Sequence, residues 1–161
     1  MTARPGISAF FLAGGLLALA DQAIKRLVTA NFVLGESLAL IPGFLSLTYI
    51  RNRGGAFGIF TGFPPMWGRL FFVAATLAAL VFVYYLYRYK PPESAYGRLA
   101  LVLIFGGGLG NLVDRVLLGE VVDFVDVYLG SHHWPAFNLA DSGISVGVVL
   151  LALDVIRRPG D

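Results

Sequence analysis

Residues 99–118 read LALVLIFGGGLGNLVDRVLL. The run has the ~20 apolar residues that a helix needs to cross a bilayer, yet near its end it carries Asn111, Asp114 and Arg115. Those three stand at i, i+3 and i+4 and so share one helix face. Polar and ionised groups at membrane depth cost on the order of 2.5–3.5 kcal/mol each on insertion scales, which makes the cluster a candidate site. A structural ion pair between Asp114 and Arg115 is the competing reading. The preceding Gly106-Gly107-Gly108-Leu109-Gly110 lacks the strand context of a phosphate loop, so its small residues are read as close helix packing.

Three further apolar stretches, 7–28, 70–89 and 139–156, bring the predicted membrane spans to four. Composition agrees, because 57% of the 161 residues are hydrophobic and 14% charged, whereas a soluble surface needs about a quarter charged. The expected architecture is an α-helical membrane protein forming one domain over residues 1–161. A net charge of +2 is small for a nucleic-acid binder, and the basic residues sit in short clusters beside the spans as topology signals. Arg4, the group Arg88, Lys90 and Arg98, and the pair Arg157 and Arg158 would all lie in the cytoplasm, which puts both termini there. Arg4, an apolar core and Ala18-Leu19-Ala20 imitate a cleavable signal peptide, but the first span is read as a retained helix. The absence of cysteine removes disulfides and thiolate chemistry.

Between the first two spans the periodicity changes. Phe44 to Tyr49 alternates apolar and polar residues after a break at Pro42-Gly43, so an extracytoplasmic β-rich segment is expected over 29–67. It runs into Arg51-Asn52-Arg53-Gly54-Gly55-Ala56-Phe57-Gly58, readable as an ordinary turn or as a substrate contact. Gly58 to Met66, interrupted by Gly62 and Pro64-Pro65, is expected to lie in the membrane interface.

Two acids flank the aromatic, Pro-containing segment before the last span, in Val121-Val122-Asp123-Phe124 and Asn138-Leu139-Ala140-Asp141. From Leu99, about 22 Å of helix at about 1.5 Å per residue brings Asp114 to the outer leaflet. Asp21, Asn52, Asp123, Asn138 and Asp141 all converge on that side. Adjacent carboxylates share a proton, so one serves as acid and the other as base, which is what activation of water against an amide requires. Asp141 after Asn138 also fits a helix cap with an acid at its third position. Asp123 is flanked by apolar residues, whereas Asp126, three residues on, points to the other face of an extended segment and is read as solvated rim. Asp114 is the second choice for the partner of Asp141. Asp21 and Lys25, four apart with the acid first, form either a supporting pair or simple mutual neutralisation.

Other patterns carry less. Gly143-Ile144-Ser145-Val146-Gly147 matches a nucleophile elbow, but no histidine follows it, so it is read as helix packing. His132 and His133 are adjacent and unsuited to one metal, and neither a metal nor another cofactor is expected.

The motifs Asp21-Gln22-Ala23-Ile24-Lys25, Asn52 to Gly58, Gly110-Asn111-Leu112-Val113-Asp114-Arg115, Val121 to Phe124 and Phe137 to Ser142 occur in one order over nearly the whole chain. In this the chain resembles the bacterial lipoprotein signal peptidases, signal peptidase II. The resemblance implies an intramembrane aspartic endopeptidase of the bacterial cytoplasmic (inner) membrane, acting as a monomer with its site facing outward. Its substrate would be a prolipoprotein, cut before a cysteine carrying diacylglycerol. The resemblance maps catalysis to Asp123 and Asp141. It gives Asn52, Asn111, Arg115 and Asn138 to the substrate backbone and lipid-bearing region, with Asp21 and Lys25 in support. It further implies membrane lipid as a partner and inhibition by globomycin-like cyclic peptides. Ile24 departs from the family's usual small hydroxyl residue and Gly55 from its usual alanine. Without the resemblance, proton-coupled transport through outer-leaflet carboxylates stands as the alternative, although transport favours midplane acids and repeated halves.

Overall fold

The computed structural model describes residues 6–54 and 65–157. Among these residues four helices are long and apolar enough to cross a membrane: α1 (Ile7–Asn31), α2 (Pro65–Tyr89), α3 (Ala95–Leu117) and α4 (Leu139–Arg157). Four strands, β1 (Ser37–Ile41), β2 (Leu45–Asn52), β3 (Val121–Leu129) and β4 (His132–His133), form one sheet in the order β1-β2-β3-β4.

The third helix is the axis of the bundle. Half of its most apolar window is buried, against about a fifth or less for each of the other three. Lipid tails are as apolar as leucine, so helices in a bilayer associate through close packing, and the glycine run supplies it. A Cβ on Gly106 would lie 2.7 Å from the Gly14 carbonyl of α1, one on Gly107 2.3 Å from the Ala140 carbonyl of α4, and one on Gly108 3.0 Å from Leu80 of α2. Three consecutive residues, each turned about 100° from the last, therefore admit three different helices. Gly143 and Gly147 of α4 press on Leu17 of α1 and on the Ala100 carbonyl of α3, so the Gly143–Gly147 pattern is helix packing. Leu70, Phe71, Leu77, Val81 and Phe82 stay exposed along α2, the face a bilayer would cover.

At the far end of α3, Ser94 caps the helix by accepting the Gly97 N–H at 2.9 Å and donates to Asp154 of α4 at 2.5 Å. Asp154 is itself buried, and no sequence motif singles it out.

The sheet is larger than the segment 29–67. Helix α1 continues to Asn31, and the hairpin β1–β2 turns at Gly43 with φ 82°, a left-handed conformation that favours glycine. Strand β3 then pairs antiparallel with β2, setting Asn52 against Val121 and Ile50 against Asp123. The second span begins at Pro65, not at residue 70, so Met66 belongs to α2 rather than to an interfacial segment. Proline suits a first helical position, where no N–H is needed. The remainder of the expected interfacial segment, and Gly55 to Gly58 of the turn motif, lie outside the described residues. Val28, Tyr49, Val122 and Phe124 join α1 to the sheet in one apolar cluster, with Ile24 packed against it. The departure at Ile24 thus supplies packing.

Candidate active site

The site forms where α4 begins. Asn138 precedes the helix, and its Oδ1 accepts the Asp141 N–H at 2.8 Å while Asp141 Oδ2 accepts the Asn138 N–H at 3.3 Å. This is a reciprocal capping box. The cap reading and the candidate-site reading of Asp141 are the same geometry. A third orphan donor of the helix, the Ala140 N–H, is taken by Asp21 Oδ1 at 3.0 Å from α1.

The same asparagine reaches the other acid. Asn138 Nδ2 donates to Asp123 Oδ1 at 2.8 Å, and Asn52 Nδ2 donates to Asp123 Oδ2 at 3.1 Å. Asn52 cannot turn over, because its Oδ1 accepts the Gly54 N–H at 2.9 Å. Gly54 has φ 84°, and a Cβ there would lie 2.5 Å from the Phe72 ring, so the turn is closed to other residues. The turn motif, as far as it is described, orients Asn52 on Asp123.

Behind the acids lies a buried ionic cluster. Lys25 Nζ contacts Asp21 Oδ2 at 2.7 Å, Asp114 Oδ2 at 2.9 Å and Asn111 Oδ1 at 2.9 Å, which uses its three hydrogens. An amide whose oxygen faces an ammonium must present its nitrogen elsewhere, and Asn111 Nδ2 donates to Asp141 Oδ1 at 2.7 Å. Asn111 Oδ1 also accepts from Asn138 Nδ2 at 3.2 Å, closing the network. Asp21 and Lys25 form an ion pair, and Lys25 also contacts Asn111, whose amide nitrogen donates to Asp141.

Asp114, the second choice for the partner of Asp141, has both oxygens engaged by other groups. Gln22 Nε2 donates to its Oδ1 at 2.7 Å, and Lys25 and the Val122 N–H, at 3.0 Å, occupy its Oδ2. Nor does Arg115 spend its charge on an Asp114 salt bridge. Its guanidinium lies 5.4 Å from the Phe72 ring centre, within the field of Asp141, Asp123 and, more weakly, Asp114. Gln22, which sequence reasoning gives no role, donates to Asp114, and its place between Asp21 and Lys25 is the signal that could have found it.

Asp126 is not solvated rim. Its side chain is 14% exposed and contacts His133 Nδ1 at 2.9 Å, whose ring stacks on Tyr128 with centres 4.7 Å apart. No group of three or more metal-ligating side chains occurs among the described residues.

Burial pushes the Asp123 carboxyl up to about 6, with the Asp141 charge adding to the rise and the bonds from Asn52 and Asn138 opposing it. A raised value means that the folded protein holds this proton more tightly than the unfolded chain. The associated stability is complete below the unfolded value and is lost as pH climbs through the folded one. Two units correspond to roughly 3 kcal/mol. In unfolding temperatures from about pH 4 to about pH 8, the wild type is therefore expected to lose ground against Asp123→Asn. Parallel curves would contradict the assignment.

Two aspartates bridged by one asparagine, set among four membrane-length helices, define a membrane-embedded protein of the aspartic peptidase class. Comparison with known proteins agrees. Residues 14–157 match the family model described as signal peptidase (SPase) II. The lipoprotein signal peptidase of Syntrophus aciditrophicus (strain SB) is 46% identical over 150 residues, 92% of each chain. That of Geobacter metallireducens is 46% identical over 154 residues, 96% of this chain and 94% of its own. A solved bacterial membrane enzyme, determined by the in meso method at 2.3 Å resolution, superposes with a TM-score of 0.84 at 32% identity, covering 100% of this chain and 98% of its own. A second, at 1.9 Å resolution, gives 0.85 at 33% identity over 99% of both. The chain belongs to the signal peptidase II family.

Proposed function

We propose that this protein cleaves the signal peptides of bacterial prolipoproteins on the N-terminal side of a diacylglyceryl-modified cysteine, with Asp123 and Asp141 as its catalytic pair. The observation that carries the reading is the shared Asn138, which binds Asp123 through its side-chain nitrogen and Asp141 through its side-chain oxygen. Family membership favours hydrolysis over transport. The basic residues at 88, 90, 98 and 157 support cytoplasmic termini and a site facing outward from the inner membrane. The protein acts there as a monomer.

The environments divide the roles. Asp123, raised to about 6, holds the proton. Asp141, at the positive end of α4 and accepting from Asn111 and the Asn138 backbone, stands in a setting for an anion. It takes a proton from water as the water oxygen attacks the scissile carbonyl carbon, and Asp123 donates to the carbonyl oxygen. The tetrahedral diol collapses when Asp141 passes its proton to the leaving amine and Asp123 recovers one from a diol hydroxyl. Arg115, over the Phe72 ring and within the field of the same acids, is assigned to the lipid-bearing region of the substrate. Asn52, Asn111 and Asn138 spend their amides on the aspartates, so their role is positioning rather than the direct substrate contact implied by resemblance.

The test is cleavage of a purified diacylglyceryl prolipoprotein by the purified protein, with mass analysis of the products. The expected product begins at the modified cysteine, forms in the presence of chelator, and is suppressed by a globomycin-like cyclic peptide. Folded protein that leaves the substrate intact, or cuts elsewhere, overturns the reading.

A further inference from the structure

A cavity of about 200 Å³ opens among α1, the end of α3 and the sheet. Its α1 wall is Gln22, Lys25, Arg26 and Thr29, spaced i, i+3, i+4 and i+7, hence one helix face. Arg51 of β2 stands among the other lining residues, and Leu117 and Leu118 supply apolar lining.

Charge and placement point to its occupant. Lys25 is consumed by Asp21, Asp114 and Asn111, and the oxygens of Asp114 are occupied by Gln22, Lys25 and the Val122 N–H. Arg26 and Arg51 are exposed, and among the described residues neither has an acidic partner. Arg51 is held ready, with its Nε donating to the Tyr49 hydroxyl at 2.9 Å, which leaves its terminal nitrogens for a ligand. Guanidinium forks match phosphate oxygens in pairs. Arg26 lies about 7.5 Å of helix before the end of α1, beside Leu27, which is 65% exposed, and Leu117 across the cavity is 68% exposed. A cationic cavity at the polar end of a lipid-facing apolar surface suits a molecule with a phosphate above and acyl chains below.

We propose that this cavity binds the phosphodiester headgroup of an anionic glycerophospholipid, with Arg26 and Arg51 on its phosphate oxygens and its acyl chains running inward past Leu19, which is 68% exposed two turns below Arg26 on the same face of α1. The cavity shares Gln22, Lys25 and Asp114 as a wall with the cluster behind the acids, but its free cations are Arg26 and Arg51 and it uses neither Asp123 nor Asp141.

The test uses the full protein in phosphatidylcholine bicelles doped with phosphatidylglycerol, reading the unfolding temperature and the phosphatidylglycerol retained in native mass spectra. The wild type is expected to gain stability and retain the lipid. Arg26→Gln/Arg51→Gln should bind it at least about tenfold more weakly, while Arg88→Gln/Lys90→Gln, which removes two charges elsewhere, should match the wild type. Arg26→Gln alone, at a side chain with no hydrogen bond among the described residues, gives an intermediate loss and serves if the double variant fails to fold. An equal response in the Arg26/Arg51 variants, or no preference for phosphatidylglycerol in the wild type, overturns the proposal. So does an equal shift from inorganic phosphate, which would mark a site for a soluble anion.

Discussion

Asp123→Asn and Asp141→Asn are each expected to lower prolipoprotein cleavage by at least about 10³-fold while leaving a folded protein. Asparagine keeps the shape of the side chain and removes the acid. At position 123 the variant has no proton for the carbonyl oxygen, and at 141 it has no base for water. Because the two act as a unit, the double variant should be little worse than either single one. Asp114→Asn is the discriminating control. Its oxygen can still accept from Lys25 and the Val122 N–H, and Gln22 keeps its bond to the Gly110 carbonyl at 3.1 Å and loses only the one to Asp114, so cleavage should stay within about tenfold of wild type. The measurement is initial rate on the diacylglyceryl substrate, with folding checked by thermal unfolding. A dead but folded Asp114→Asn beside an active Asp123→Asn would transfer the partner role to Asp114.

The four helices were legible because a bilayer imposes length and apolarity together, and a run such as 70–89 can satisfy both only as a span. The side chains of the site were legible for the converse reason, since polar groups that a membrane disfavours must be there for something. Their partnerships were not legible. Spacing put Asn111, Asp114 and Arg115 on one face, yet at close quarters they diverge, to Asp141, to Lys25 and toward Phe72. A helix face is wide enough to hold three neighbours, and only tertiary packing decides which side chain meets which. Strand β3 was likewise seen as extended without being placed beside β2, because pairing across some seventy residues leaves no local periodicity. Asp126 failed in the same way. Its turn to the opposite face followed from strand alternation, but its cover came from His133 on another strand.

Replacing Lys25 is expected to have the largest effect on folding. Lys25→Met keeps most of the volume but strands Asp21 and Asp114, 0% and 3% exposed, without a cation. Removing one partner of a buried charge pair typically costs about 3–5 kcal/mol, so the unfolding temperature should fall steeply. The loss also reaches the acids. Once the ammonium is gone, only the 3.2 Å bond from Asn138 Nδ2 still holds the Asn111 oxygen, and an inverted amide would present an oxygen to Asp141 in place of the donor now 2.7 Å away. Cleavage by the surviving folded fraction should therefore fall as well, through kcat more than KM. Lys25→Arg is not a rescue, because a planar fork cannot serve three acceptors gathered around one tetrahedral nitrogen. Adding Asp114→Asn to Lys25→Met should return part of the stability by removing one stranded charge, and little of the activity, since Asn111 still lacks the ammonium. A Lys25→Met protein as stable as wild type would show that the ion cluster is dispensable. One that is destabilised yet turns over normally per folded molecule would show that the cluster supports the fold and leaves Asp141 alone.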